Sequence, residues 1–297
     1  MSVQALREFI NRHVASATGL AALGAVLGAR ATGTPLEPTV AARIQDLLAA
    51  LGGGDLLADV GPDDARPFLA ELRLSLGIDA KLLREPVRPA GWSHTEPELL
   101  QAGGDVSAGF VQPLSRLVVP RLEGLADRLA APGAAFLDVG VGVAGLSIAI
   151  ARAWPALQVV GIDPWAPSIA LARDNVARAG LGDRIELRAH GVEALADEAA
   201  FDLAWIPIPF LPAPIVPIAY THVRRALRPG GWVLVSAINP NVDPASLAFW
   251  RLRTTLFGNG EVSPVGAEAH LRDAGFVDVH TLPSPPGAFL ALVAGRR

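Results

Sequence analysis

One stretch constrains this chain more than any other. Phe136-Leu137-Asp138-Val139 is an apolar run, broken only by one carboxylate, and Gly140-Val141-Gly142-Val143-Ala144-Gly145 follows it. Leu146-Ser147-Ile148-Ala149-Ile150 then has helix-forming character. The run suits a short strand covered on both faces. Gly140, Gly142 and Gly145 let the backbone turn tightly and approach a ligand without a Cβ in the way. The helix after them aims its free N–H groups at that ligand. About twenty residues on, a second apolar strand, Leu157 to Ile162, ends in Asp163. A carboxylate at that place can accept from both hydroxyls of a ribose. The pattern is half of a nucleotide-binding fold.

The remaining chain fits around that half. Strands are expected at Ile185–Arg188, Phe201–Ile206 and Trp232–Ser236, with helices at Pro167–Ala179 and Ile218–Leu227 between them. Strands alternating with helices imply parallel pairing and right-handed crossovers. Phe276–Leu282 and Ala288–Ala294 read as two strands joined by Pro283-Ser284-Pro285-Pro286-Gly287, a connection short enough to require an antiparallel pair. The expected fold is therefore α/β: a Rossmann-like, mainly parallel seven-stranded sheet with an antiparallel C-terminal strand pair, plus an N-terminal helical domain. Ala131-Pro132-Gly133 sets the boundary, giving a helical domain over 1–130 and a nucleotide domain over 131–297.

Within the first part, Glu37–Leu51 places Val40, Ile44, Leu47, Leu48 and Leu51 on one helical face. Asp64 caps a second helix that Gly77 is expected to stop, and Thr95 with Glu98 has capping-box spacing for a third. Val14–Gly28 is apolar and rich in small residues, and Arg7, Arg12 and His13 precede it. A signal-peptide core has this look, but Glu8 lies in the basic region and the stretch is too short to span a bilayer. A buried helix is the preferred reading, and no membrane partner is expected.

Composition narrows the function. The 297 residues are 51% hydrophobic and 18% charged, with a net charge of -4, so a globular fold is expected and a nucleic-acid partner is not. There is no cysteine, which removes thiolate catalysis and zinc–thiolate sites and fits a cytoplasmic protein. No metal-ligand set is assigned.

Gly140-x-Gly142-x-x-Gly145 with Asp163 satisfies the dinucleotide fingerprint, so an NAD(P)-dependent oxidoreductase stands as one reading. Asp138 argues against it. A carboxylate two residues before the first glycine repels a pyrophosphate and suits a ligand with a cationic amino-acid end. Together with Gly161-Ile162-Asp163, Phe201-Asp202-Leu203 and the Leu227-to-Ser236 turn and strand, the loop resembles the class I S-adenosylmethionine-dependent methyltransferases. The likeness runs from about Asp105 to the C-terminus. Leu252–Gly258 and Ala267–Phe276 resemble the small-molecule O-methyltransferase branch of that family.

That resemblance implies S-adenosyl-L-methionine as cofactor, a small organic acceptor methylated on a hydroxyl or carboxylate oxygen, plausible membership of specialised metabolism, and a homodimer whose N-terminal domain dimerises and helps close the pocket. It further implies roles for particular residues. Gly140 and Gly142 line the methionine end beside Asp138, Asp163 takes the ribose, and Pro164 and Trp165 flank the adenine. Gly191 and Val192 contact its other side, and Ile206 and Pro207 lie by the sulfonium. Two departures stand out. His190-Gly191 replaces the Gly-Asp of many members, and Ile206-Pro207-Ile208-Pro209-Phe210 has no side-chain amide to hold an amine. Ala237–Thr255 also lacks the histidine that related enzymes place there as base. His94, His190 and His222 remain, and His94 is the catalytic candidate because its segment could fold over the cofactor. Asp243, Arg251 and Arg253 are weaker acceptor-side candidates. Phe210, Tyr220, Phe249 and Trp250 point to an apolar acceptor. A third reading, a non-catalytic cofactor-binding protein, follows from the missing conventional base.

Overall fold

A computed structural model of the chain describes residues 3–87, 90–258, 263–284 and 288–297. Pro285–Gly287, part of the connection expected between the last two strands, lies outside them. The chain divides into two compact units, Met1–Pro86 and Val87–Arg297.

The first unit is helical: α1 (Val3–Thr32), α2 (Pro38–Ala50) and α3 (Pro62–Arg84). Glu37 caps α2, its carboxylate accepting the Val40 N–H at 2.8 Å. Leu27 of α1 packs on Ala65 and Leu69 of α3. Four sequence expectations fail here. The apolar stretch at 14–28 belongs to a helix of 30 residues, long and apolar enough to cross a membrane by length and composition. That helix is not buried: Val3, Leu6, Phe9, Ile10 and Val14 are exposed, and only Gly19, Ala22 and Leu27 are covered. Helix α3 also runs through Gly77 and carries Pro67 inside it, with Gly61 rather than Asp64 at its N-cap. Glycine weakens a helix by only about 1 kcal/mol, which the packing of Leu69, Ala70 and Ile78 outweighs.

The second unit holds a seven-stranded sheet in the order β3-β2-β1-β4-β5-β7-β6. Its strands are β1 (Ala135–Val139), β2 (Gln158–Ile162), β3 (Ile185–Arg188), β4 (Phe201–Ile206), β5 (Leu227–Ile238), β6 (Val277–Thr281) and β7 (Leu290–Arg296). Pairing from β3 through β5 is parallel, while β7 runs antiparallel to both β5 and β6. All seven expected strands are present. Their core positions are apolar on both faces, as a sheet covered by helices on each side requires.

The helices of this unit are α4 (Pro97–Ala108), α5 (the single turn Val111–Pro113), α6 (Leu125–Ala130), α7 (Gly145–Ala153), α8 (Ala166–Ala179), α9 (Val216–Ala226), α10 (Pro244–Leu256) and α11 (Pro264–Asp273). The expected boundary at 130 is therefore displaced: residues 87–130 belong to the sheet-bearing unit. Leu114, Val118, Leu122, Leu125 and Leu129 are buried against Phe136, Ile150 and Trp232. A punctuating Ala-Pro-Gly marks where a strand starts, but buried area decides what belongs to a domain. The capping box at Thr95 is likewise absent, because α4 starts at Pro97 behind Glu96 with no side-chain cap.

Beneath the sheet, Asp202 ties three segments together. Its buried carboxylate accepts the Ala135 N–H at 3.0 Å and pairs with Arg128 and Arg228. At the carboxyl edge the strand order reverses between β1 and β4, since β2 lies on one side of β1 and β4 on the other. Ligands of open α/β sheets bind at such a switch point.

Candidate active site

The loop after β1 is shaped by its own hydrogen bonds. Gly140 and Val141 both donate their N–H groups to the Ile162 carbonyl, at 2.8 and 3.0 Å. Gly142 donates to the Asp163 carboxylate at 2.9 Å, and Ala144 donates to the Val141 carbonyl at 2.9 Å. Gly140 and Gly142 adopt φ of 71° and 55°, a left-handed conformation that glycine takes without strain. Asp163 sits at the end of β2, and its second oxygen accepts the Trp165 N–H at 2.8 Å. Burial raises its pKa against the pull of these two backbone donors.

Asp138 is more perturbed. It is 2% exposed, and its carboxylate accepts the Ser147 hydroxyl at 2.7 Å. Burial pushes its pKa up to about 7, with the Ser147 hydrogen bond opposing and the nearby Asp163 charge adding to the rise. Two acids thus sit against one glycine loop, and burial leaves one of them only partly ionised near pH 7. Sequence reasoning passes over Ser147. Its only signal there is a hydroxyl one turn into the helix after an acid-bearing strand.

Gly145 departs from its expected role. A Cβ there would lie 1.9 Å from the Gly104 carbonyl oxygen of α4. Its bareness serves the crossing of α4 over α7. A Cβ on Gly140 would have Pro207 as its nearest neighbour, at 3.5 Å. Ile206 is fully buried at the end of β4 and Pro207 is half-buried beyond it. Pro164 is exposed, Trp165 half-buried, and Gly191 and Val192 are buried after β3.

The segment before α4 reaches this edge. The Trp165 indole N–H donates to the His94 carbonyl at 2.7 Å. The His94 side chain is fully buried, with Trp92 at 4.8 Å and a Glu96 carboxylate oxygen 4.0 Å from its Nδ1. Trp92 in turn meets Phe257 at 5.5 Å and Phe210 at 6.0 Å, and those two rings stack at 4.7 Å. The Trp165 contact thus brings the His94 segment to the carboxyl edge, at the end of β2. His190 Nδ1 is within 2.9 Å of the Gly191 carbonyl, and His222 Nδ1 within 3.2 Å of the Leu195 carbonyl. Asp243 caps α10 through the Ala245 and Ser246 N–H groups. Arg253 is buried, its guanidinium 4.9 Å from the Phe249 ring, whereas Arg251 is exposed. Of the four aromatics expected at a pocket, Phe210 alone joins the Trp92 cluster. Tyr220 is core, and Trp250 stacks on Phe289 at 4.1 Å.

Residues 136–231 match a family model described as a methyltransferase domain. Over those residues the chain is similar to methyltransferase domains. Over 209 residues it is 29% identical to the ribosomal protein L11 methyltransferase of Sorangium cellulosum, covering 68% of this chain and 58% of that one. Over 154 residues it is 36% identical to the ubiquinone biosynthesis O-methyltransferase of Paracidovorax citrulli, covering 51% and 63%. The chain thus spans about three fifths of the length of these curated relatives. An O-methyltransferase family protein from Burkholderia thailandensis shares the fold over 100% of this chain and 98% of its own, with a TM-score of 0.66 and 19% identity. The fold of the whole chain is thus shared with that neighbour.

Proposed function

We propose that this chain is an S-adenosylmethionine-dependent methyltransferase acting on an oxygen of a small organic molecule. One observation carries the choice of cofactor. The loop N–H groups of Gly140, Val141 and Gly142 are already donated to Ile162 and Asp163. A pyrophosphate would need those donors and would meet two carboxylates in their place. A cationic amino-acid end suits Asp138, and the oxygens of Asp163 can still accept from ribose hydroxyls.

The cofactor supplies a methyl group already activated on a sulfonium. The protein's task is then to align the acceptor and exclude water. In this reading His94, whose buried ring must first be uncovered, takes the acceptor's hydroxyl proton, and Glu96, with a carboxylate oxygen 4.0 Å from Nδ1, stabilises the resulting imidazolium. Trp92, Phe210 and Phe257 supply an apolar wall. The absence of a side-chain amide after β4 favours oxygen over an amine, as does the likeness to the ubiquinone-biosynthesis relative. The reading extends to a role in specialised metabolism, a cytoplasmic location, and a homodimer in which the exposed side chains of α1 are covered by a second copy.

Calorimetry with S-adenosylhomocysteine and, separately, reduced nicotinamide dinucleotide tests the proposal. Binding of the first and not the second is expected. The reverse would replace the methyltransferase reading with an oxidoreductase.

A further inference from the structure

The loop that holds the cofactor is also gripped from outside. Both protons of the Asn175 side-chain amide, on α8, are donated: one to the Val143 carbonyl at 2.9 Å, the other to Gln101 Oε1 at 3.0 Å. The Arg178 guanidinium donates to Asn175 Oδ1, so the amide has a fixed orientation. Gln101, on α4, is oriented in turn because its own amide donates to Asp105 at 2.9 Å. This row of directed amides ties the glycine loop to α4. Bare backbone completes the tie: a Cβ on Gly104 would lie 2.2 Å from the Val143 side chain. At its other end, the segment leading into α4 is held where the Trp165 indole donates to the His94 carbonyl.

We propose that Asn175 and Gln101 are positioning residues, which transmit the placement of the cofactor loop to α4 and through it to the segment carrying His94. The inference rests on the cofactor reading above. It assigns the pair no contact with the acceptor. Cofactor that settles the loop settles α4, so the acceptor wall is completed only when the cofactor is in place.

Hydrogen exchange of the full chain, with and without saturating S-adenosylhomocysteine, tests this directly. In the wild type the ligand is expected to slow exchange in both 139–150 and 97–108. Gln101→Leu should keep the first protection and lose most of the second, with affinity weakened about threefold to tenfold, as one hydrogen bond implies. Gln101→Glu retains the acceptor for Asn175 and should restore protection of 97–108, which a general packing defect would not allow. If Gln101→Leu does not fold, Asn175→Asp removes both donations at constant size and should likewise abolish the ligand's protection of 97–108. Equal protection of 97–108 in wild type and variant would overturn the proposal. So would a wild type whose loop is protected while 97–108 is unchanged. No heat of binding and no protection anywhere would instead overturn the cofactor reading.

Discussion

Substituting Gly145 by Ala sets two physical effects against each other. Gly145 is the first residue of α7 and carries no left-handed φ. Helix propensity alone therefore predicts that alanine stabilises, by up to about 1 kcal/mol. The contact with α4 predicts the opposite. The new Cβ would stand 1.9 Å from the Gly104 oxygen, whereas ordinary contact begins at 3.4 Å, so the two backbones must part by 3.4 − 1.9 = 1.5 Å. Neither neighbour is a flexible side chain that can swing aside. Overpacking of this kind costs about 1–3 kcal/mol, and pulling α4 away breaks the Gln101–Asn175 hydrogen bond for about 1 kcal/mol more. Less the propensity gain, a net loss of roughly 1–4 kcal/mol remains, which corresponds to a fall in Tm of about 2–16 °C for a unit the size of Val87–Arg297. Differential scanning calorimetry of Gly145→Ala measures it. Gly180→Ala is the control, since Gly180 has φ of 67° and open space around it, leaving only left-handed strain of about 1–2 kcal/mol. A Gly145→Ala protein that melts at or above the wild-type temperature would refute the packing argument.

Asp163→Ala should weaken S-adenosylhomocysteine binding by about 1.5–3 kcal/mol, roughly tenfold to 150-fold, in calorimetry; unchanged affinity would remove the ribose role. Asp138 makes stability fall as pH rises. Its folded-state pKa of about 7 exceeds the ordinary 3.8, so the folded chain holds an extra proton between those values and loses that advantage as pH climbs through them. Asp138→Asn, followed by urea unfolding from pH 5 to 8, should flatten this slope, and identical slopes would rule the carboxyl out. Arg184 donates to the carbonyls of Ala151, Trp154 and Leu157 at 2.6–2.8 Å, closing the C-terminal end of α7. Arg184→Met should therefore cost about 1.5–3 kcal/mol in the same unfolding experiment, with a loss below about 0.5 kcal/mol counting against the closure.

What the sequence disclosed was local. Each strand announced itself by an apolar run and turn residues, so all seven were legible, as were the two acids at the ends of β1 and β2. What it concealed was which segments meet. Gly145 looked like part of a ligand-binding fingerprint, yet its missing side chain faces Gly104, some forty residues earlier in the chain. The Ala-Pro-Gly before β1 looked like a domain edge, although Leu114–Leu129 fills the core on the sheet's side of it. His94 stood out in the sequence as a histidine just before a helix, beside Trp92, in a segment that could fold over the cofactor. Trp92 and Glu96 are its neighbours in sequence, but the Trp165 indole that holds the segment arises from tertiary packing that no periodicity encodes. Helix α1 misled in the other direction, because an apolar stretch tells nothing of whether a single chain has enough partners to cover it.

The position of β7 has a consequence for how the molecule comes together. It is inserted between β5 and β6, and every residue from Leu290 to Arg296 pairs with β5. Yet β6 precedes it in the chain. On a ribosome, β6 emerges with no neighbour to join, and α11 must shelter it until the later strand threads into the gap. The parallel strands bearing the glycine loop need none of this pairing, so β7 is the link through which β6 joins the sheet.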